Sequence, residues 1–539
     1  MKITFALFSL FIFSVSAWAE IKLPALFNDG MILQRQQAVP VWGWAPEDTV
    51  VIVSFTGQTK ETKADKNGKW MLKLDALKAN AKSAEMIVKV GSETKVIKNV
   101  LVGEVWICSG QSNMDFNMAA ISRDPRDPKQ HPISQYIAQE TKTAKDPLFK
   151  QIEVIKSTSP FKEKVEFKGS WKALSPETAP AFTATGYFFG RELRQKLKVP
   201  VGLIKCAWGG TRVEPWVPME KWQTTPSLKE YYDKETTAVK KAIDNYDPTK
   251  AKAAYEKRIT DIKAKAEKAK AEGKKFRNWR PRKPRSPAEA NTIPSTLYNA
   301  LINPLVPYAV KGAIWYQGES NRKHMPDKYE AHFSAMIEAW RKNWGQDKFY
   351  FYWCQLAQFQ KANTEPLSKD SWTDVCNQQR LTLKLPNTGM AVLNDIGDAI
   401  DIHPRNKVDA GKRLSLWAFK QAYNFDIIAS GPLYKSHKID GNKVVITFDS
   451  TGKGLMVGKK DLMDPTVPAG GPLKRFQICG ADKVWKWADA KISGKDNVEV
   501  SHKDIQIPIE VRYAWSPNPE GANLYNKAGL PTSVFKTSE

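Results

Sequence analysis

Ser112 sits in Gly110-Gln111-Ser112-Asn113, directly after the apolar run Val105-Trp106-Ile107-Cys108. A serine just past a strand's carboxyl end, at a helix start, exposes its hydroxyl at a sheet edge. Backbone N–H groups there can hold the oxyanion of a tetrahedral intermediate. Taken alone, the same serine also fits an N-capping turn. The nucleophile reading therefore needs a base, and the chain holds six histidines. His131 lies in a polar loop, and His332 shares a helical face with Phe333 and Met336. His437 and His502 fall in a C-terminal β-rich stretch. His324 and His403 remain, and His403 is preferred because it follows a strand candidate in Asp401-Ile402-His403-Pro404.

Further polar clusters follow other apolar runs. These are Trp208-Gly209-Gly210-Thr211, Gln317-Gly318-Glu319-Ser320-Asn321, and Asn394-Asp395-Ile396-Gly397-Asp398 with the His403 segment. Ligands bind open α/β sheets at the carboxyl ends of strands, so four clusters at strand ends point to one shared rim. Arg212, Glu214 and Trp216 follow the second cluster. A Trp face suits sugar stacking and an Arg can grip a carboxylate; alternatively Trp216 packs the loop and Arg212 meets Glu214 or solvent. Glu319 is a candidate substrate acceptor or loop brace, with Asn321 beside it as a further substrate contact. Glycosidic cleavage would need paired acids and would have no use for Ser and His at strand ends.

The elements that must position these residues are α/β in texture. Strand candidates Leu101–Cys108, Val199–Ala207, Val310–Tyr316, Phe349–Cys354 and Thr388–Leu393 alternate with amphipathic segments, which implies a parallel sheet. Tyr329, Phe333, Met336, Ile337 and Trp340 share one helical face, closed by Gly345. A second helix is expected after Pro404, with Leu414 and Trp417 inward. Residues 20–100 read as a β-sandwich, with Asn67-Gly68 as a hairpin signal. The α/β unit spans 101–428, and 429–539 is β-rich. Residues 223–291 interrupt the α/β unit: Asp247-Pro248 starts a helix with Tyr255, Ile259, Ile262, Ala266 and Ala269 at heptad-like spacing amid many lysines. This basic helical insertion reads as a solvated excursion, a lid or an electrostatic patch.

The 539 residues carry a formal charge of +25, much of it in that insertion. Such a balance attracts acidic glycans, nucleic acid or anionic lipid without choosing among them. Residues 1–19 read as a secretory signal, with Lys2, an apolar run and Ala17-Trp18-Ala19 before the cleavage point. A secreted or periplasmic destination is expected. Five cysteines, sparse and odd in number, do not indicate a disulfide framework, and no CxxC or His-rich spacing suggests a metal site.

The blocks Gly-Gln-Ser-Asn-Met (110–114), Trp-Gly-Gly-Thr (208–211), Trp-Tyr-Gln-Gly-Glu-Ser-Asn (315–321) and Asp-Ile-His-Pro (401–404) resemble the signatures of the sialate O-acetylesterase family of SGNH hydrolases. Val41-Trp-Gly-Trp44, Arg512-Tyr-Ala-Trp515 and Asn523-Leu-Tyr-Asn526 also look familial, so the resemblance covers nearly the whole chain after residue 19 except the basic insertion. It implies an α/β fold with an SGNH-type, flavodoxin-like three-layer domain and a parallel sheet, flanked by the β-sandwich and the C-terminal β-rich region. It also implies a serine mechanism, with Ser112 attacking an acetyl carbonyl and His403 as base. Its oxyanion donors would be the Ser112 and Gly210 N–H groups and the Gln317 side chain, where the typical SGNH block carries Asn. SGNH enzymes commonly place an acid three residues before the histidine, but here that residue is Ile400. Asp401 is the choice to orient His403, with Asp398, Asp395, a backbone carbonyl or a Ser-His dyad as alternatives.

The expected activity is removal of O-acetyl groups from carbohydrate, sialic acid first. The alternatives are an acetylxylan-type esterase and an inactive scaffold that binds acidic glycans. The partner is an O-acetylated sugar or glycan. Neither nucleic acid nor stable membrane insertion is expected, and no metal or cofactor is required.

Overall fold

The structure, a computed structural model, describes residues 21–276, 281–346, 348–367 and 369–538. The expected secretory segment lies outside the described residues. The five apolar runs form β1 (Glu93–Gly110), β2 (Val201–Ala207), β3 (Gly312–Tyr316), β4 (Tyr350–Cys354) and β5 (Thr388–Ala391). They lie in the order 2-1-3-4-5, and every pairing is parallel. Such a sheet reverses its winding between β1 and β3, and a crevice opens there at the strands' carboxyl ends.

Parallel strands read as continuous apolar runs because both faces are covered. Trp106, Cys108, Leu203, Ile314 and Tyr352 pack on one face under α1 (Ala184–Leu197) and α6 (Lys407–Trp417). Ile107, Ile204, Trp315, Phe351 and Trp353 pack on the other. That face lies under α4 (Tyr329–Trp344) and α5 (Ser371–Leu381), which follow α2 (Pro226–Asp244) and α3 (Pro248–Ala271) in the chain. Gly345 ends α4 in the left-handed conformation, φ 59°, as its position predicts.

Asp146–Glu153 adds a parallel strand outside β2, and Lys172–Leu174 closes that edge antiparallel. Neither is among the strands expected from sequence. Lys150 and Gln151 break the apolar run, yet both are buried because they have fixed partners. The Lys150 ammonium donates to the Gly30 carbonyl at 2.7 Å, and Gln151 Oε1 accepts from Thr183 N–H at 3.0 Å.

The N-terminal β unit has two mainly antiparallel sheets, and Ile32–Gln34 joins one of them by pairing parallel with residues 101–103 of β1. Val39–Trp44 pairs with Lys69–Leu74; Val50–Phe55 pairs with Gln58–Lys63 and with Asn80–Val90, which runs on into β1. The Asn67-Gly68 expectation needs correcting. A turn is present, built by Asp65 Oδ1 accepting the Asn67 and Lys69 N–H groups. The strands on either side of it pair elsewhere, in different sheets. Turn chemistry specifies a reversal and does not choose the ladder partner. The boundary expected at residue 100 falls inside β1, one continuous strand whose first half pairs with the N-terminal sheet and whose second half is buried throughout. Beyond residue 430 the chain is β-rich, in sheets of four, three and four strands.

The insertion forms α2 and α3. Asp247 caps α3 by accepting the Thr249 and Lys250 N–H groups. Tyr255, Ile259, Ile262, Ala266 and Ala269 share a half-buried stripe, and no α3 residue is fully buried.

Candidate active site

At the end of β1, Gly110 adopts φ 132°, and a Cβ there would lie 2.3 Å from the Tyr316 carbonyl oxygen. The tight approach lets Gln111 N–H donate to that carbonyl at 2.9 Å, so the turn after β1 is locked to the end of β3. Both the dihedral and the contact demand glycine. Gly110→Ala should therefore cost at least about 2 kcal/mol, read as a fall in the urea midpoint; an unchanged midpoint would contradict this account of the turn.

Ser112 opens a single helical turn, Ser112–Asp115. Its Oγ lies 2.9 Å from His403 Nε2. His403 Nδ1 lies 3.3 Å from Asp401 Oδ1, and the His403 backbone N–H donates to the same oxygen at 3.0 Å. Asp398 does not face the ring; it accepts the Ile400 and Asp401 N–H groups and braces the loop. Asp395 is held by both Arg413 nitrogens, at 2.6 and 2.8 Å. Phe116 meets the imidazole edge-on, ring centres 4.6 Å apart. The His403 pKa is lowered from 6.5 to about 4, first by burial and then by the Lys407 charge, against the opposing pull of Asp401. A neutral imidazole beside a serine hydroxyl can accept its proton across the whole neutral range.

Of the other histidines near the rim, His324 shares a 3.1 Å hydrogen bond with the Tyr231 hydroxyl. His332 is buried with its Nδ1 3.1 Å from Glu214 Oε1. Both are committed elsewhere.

The Ser112 and Gly210 N–H groups take no acceptor among the described residues, and both belong to segments at the end of adjacent strands. A Cβ on Gly209 would lie 3.3 Å from Ser112 Cβ, so the second cluster packs directly on the serine. Gly209 N–H donates to Asp115 Oδ2 at 3.3 Å, and Lys156 grips the same oxygen at 2.5 Å.

Gln317, expected as the third oxyanion donor, is turned away. Its Nε2 faces Gln111 Oε1, the Thr211 carbonyl and Asn321 Oδ1 at 3.2, 3.1 and 2.8 Å, while its Oε1 accepts from Tyr329. With two protons for three acceptors, this buried amide has none to spare. Trp216, expected to offer its face to a sugar, is fully buried, edge-on to Trp315. Asn321 is also buried; it binds Glu214 Oε1 and the Val213 N–H and so ties the second cluster to the third. Glu319 braces rather than lines the rim, because its Oε1 accepts from Asn113 Nδ2 at 2.5 Å. Arg212 alone of the expected substrate contacts keeps partial exposure, 17% of its side chain, with Nη2 on the Thr292 carbonyl.

Sequence reasoning missed Asn113 and Lys407. Asn113 Nδ2 also donates to the Ile402 carbonyl at 3.1 Å, while its Oδ1 accepts from the buried Lys407 ammonium at 2.5 Å. The nucleophile turn, the third cluster and the His403 loop thus meet at one amide. A signal was present: Lys407 is the first residue of α6, and a cation at a helix N-terminus opposes the dipole unless something specific holds it.

A family model described as "Carbohydrate esterase, sialic acid-specific acetylesterase" matches residues 102–254 and 268–418. The chain is 26% identical to the Homo sapiens sialate O-acetylesterase, over 96% of this chain and 93% of that protein. The Pongo abelii sialate O-acetylesterase is 27% identical over the same shares. Among solved structures, a carbohydrate acetylesterase from Xanthomonas citri is similar, with 34% identity and a TM-score of 0.76 over 96% of this chain and 100% of that one.

Proposed function

The chain belongs to the sialic acid-specific carbohydrate acetylesterase family and is a carboxylic ester hydrolase, and on that premise we propose that it removes O-acetyl groups from sialic acid through an acetyl-enzyme on Ser112. The observation that carries this reading is the 2.9 Å contact between Ser112 Oγ and His403 Nε2. In the first step Oγ attacks the acetyl carbonyl carbon as its proton passes to Nε2. Asp401, at Nδ1, orients the ring and stabilises the imidazolium. Negative charge gathers on the carbonyl oxygen, where the Ser112 and Gly210 N–H groups are the donors. The C–O bond to the sugar then breaks, and His403 returns the proton to the departing hydroxyl oxygen. A water repeats the sequence on the acetyl-enzyme, giving acetate and free Ser112. Arg212 is the group on this rim that suits a sugar carboxylate.

The sheet order 2-1-3-4-5, with Ser112 after β1 and His403 beyond β5, supports assignment of the α/β unit to the SGNH type. Residues 101–428 form the catalytic unit in this reading, between the β-sandwich and the C-terminal β region.

Acetate release from O-acetylated sialic acid, compared with acetylated xylo-oligosaccharide, tests the substrate. A kcat/KM at least about tenfold higher for the sialic acid is expected, since one charge-assisted contact suffices for that ratio. Equal or reversed preference would transfer the enzyme to the neutral-polysaccharide reading.

A further inference from the structure

Stabilising an oxyanion requires donors that are already in place when the charge forms. The Ser112 N–H is fixed by its helical turn, which the Met114 and Asp115 N–H groups close by donating to the Gln111 carbonyl, each at 2.9 Å. The Gly210 N–H has no such support from packing. Gly210 adopts φ 76°, and a Cβ built there would meet nothing within 4 Å. It stands in a Gly-Gly pair, the most pliant backbone a loop can have. A specific contact must therefore hold that peptide still.

One group reaches the pair from the nucleophile's own turn. Asp115 Oδ2 accepts the Gly209 N–H at 3.3 Å, one peptide before the oxyanion donor. A Cβ on Gly209 would lie 3.3 Å from Ser112 Cβ and 3.9 Å from Asp115 Oδ2. One carboxylate thus ties the nucleophile turn to the loop that carries the second donor. Elsewhere on the loop, the Trp208 N–H donates to the Gly110 carbonyl at 3.0 Å, and the Thr211 hydroxyl donates to the Trp208 carbonyl at 2.8 Å. Those bonds anchor the loop's ends and leave the two glycines to Asp115.

A bare carboxylate in that place would oppose the reaction. The same two distances put Asp115 Oδ2 no more than about 7 Å from Ser112 Cβ, close enough for its charge to be felt by a developing oxyanion. The fold cancels that charge. Lys156 lies 2.5 Å from Oδ2, and Lys205 lies 3.5 Å from Oδ1. Lys205 is the charged residue in the otherwise apolar β2, with 5% of its side chain exposed, and its second partner is Glu153 at 2.9 Å. A buried ammonium needs fixed counter-charges, and this one has two. Two carboxylates and two ammonium groups sum to zero, so Asp115 supplies an acceptor without a net negative charge at the rim.

We propose that Asp115 is a positioning residue of the oxyanion hole, holding the Gly209-Gly210 loop on the nucleophile turn, and that Lys156 and Lys205 neutralise it so that it does not oppose the oxyanion. The proposal rests on the acetyl-enzyme reading above and deepens it, by assigning what keeps the second oxyanion donor in place. Formation and breakdown of the acetyl-enzyme both pass through the oxyanion. Loss of positioning therefore lowers kcat and leaves KM where it was.

The test measures 4-nitrophenyl acetate hydrolysis by the full chain and its inhibition by phenylboronic acid. The boron accepts Ser112 Oγ, whose proton passes to His403, and becomes a tetrahedral anion like the reaction's intermediate. Asp115→Ala should lower kcat on the order of 10²-fold, the cost of about 1 Å of misplacement, with KM unchanged. The boronic acid should bind more weakly by the same factor. Asp115→Asn keeps an oxygen for the Gly209 N–H and should retain at least about a third of wild-type kcat. Lys156→Met leaves Asp115 under-compensated and should lower kcat about tenfold. Adding Asp115→Asn to Lys156→Met should bring kcat back to within about threefold of wild type, because the remaining Lys205 and Glu153 again sum to zero. An ion pair with only a structural role would be damaged further by the second change, not restored. The urea midpoint checks that each variant is folded, and if Asp115→Ala is not, the lysine variant and the double variant decide. A kcat for folded Asp115→Ala within threefold of wild type overturns the proposal, as does a double variant no faster than Lys156→Met alone. Turnover retained by Ser112→Ala would remove the acetyl-enzyme and the proposal with it. Turnover lost in Ser112→Ala but kept in Asp115→Ala would remove the positioning role alone.

Discussion

Ser112→Ala should lower kcat/KM for acetyl esters on the order of 10⁵-fold, with the folded structure intact. The substitution removes one atom, and that atom's hydrogen bond is to His403. Helix start, Gln111 anchor and Gly110 turn do not depend on Oγ, so circular dichroism and the urea midpoint should hold. His403→Ala should cost a similar factor, and the double variant little more than either single change, because nucleophile and base act as one unit. Residual turnover by Ser112→Ala of a tenth of wild type or more would remove the acetyl-enzyme from the mechanism. The pH profile supplies an independent check. His403 must be neutral to accept a proton, so activity falls as pH drops through its pKa. With that pKa lowered to about 4, first by burial, the acid limb lies well below the 6.5 of an ordinary histidine.

How much of this was legible in the sequence depended on whether a residue's role is set by its place in the chain or by its neighbours in space. Ser112 and His403 were legible because each follows an apolar run, and parallel strands deliver their carboxyl ends to one edge. Gln317, Trp216 and Asn321 lie in the right segments, yet their side chains point inward. That direction depends on Thr211, Trp315 and Glu214, which no spacing rule supplies. Asn113 belongs to the first motif, but its role is not legible there, because the groups that it binds come from Glu319, Ile402 and Lys407, roughly two hundred residues or more along the chain. The missed strand at Asp146–Glu153 failed for a related reason: its polar residues are buried against specific acceptors, so its pattern mimics a loop.

Lys407→Met should reduce kcat by about 10- to 100-fold, equivalent to about 1.4–2.7 kcal/mol of transition-state stabilisation, and should raise the midpoint of the acid limb by about one unit. Lys407 is a positioning residue in this account. Its ammonium, 5.0 Å above the Tyr316 ring, donates to Asn113 Oδ1 and so fixes which end of that amide faces Glu319 and the Ile402 carbonyl. Without it the amide can turn over, and the loop holding His403 loses its tie to the nucleophile turn. The charge matters separately. His403 is faced by Asp401 and Arg405 on its own loop, by Lys407 on α6, and by Ser112 and Phe116 on the nucleophile side. Burial lowers Lys407 from 10.5 to about 7, with Glu319 pulling the other way, so near pH 4 it is still a cation and disfavours a second positive charge on the ring. Removing it lets His403 protonate at higher pH, and activity is lost earlier on acidification. A purely structural lysine would lower stability and leave that limb where it was. Stability carries its own signature: between about 7 and 10.5 the unfolded chain keeps a proton on Lys407 that the folded protein has released. Unfolding free energy therefore gains with rising pH across that window, and the methionine variant should lack that part of the slope in urea titrations run from pH 6 to 10. A variant whose slope and acid limb both match wild type would show that the buried ammonium is neither a strained cation nor a neighbour felt by His403.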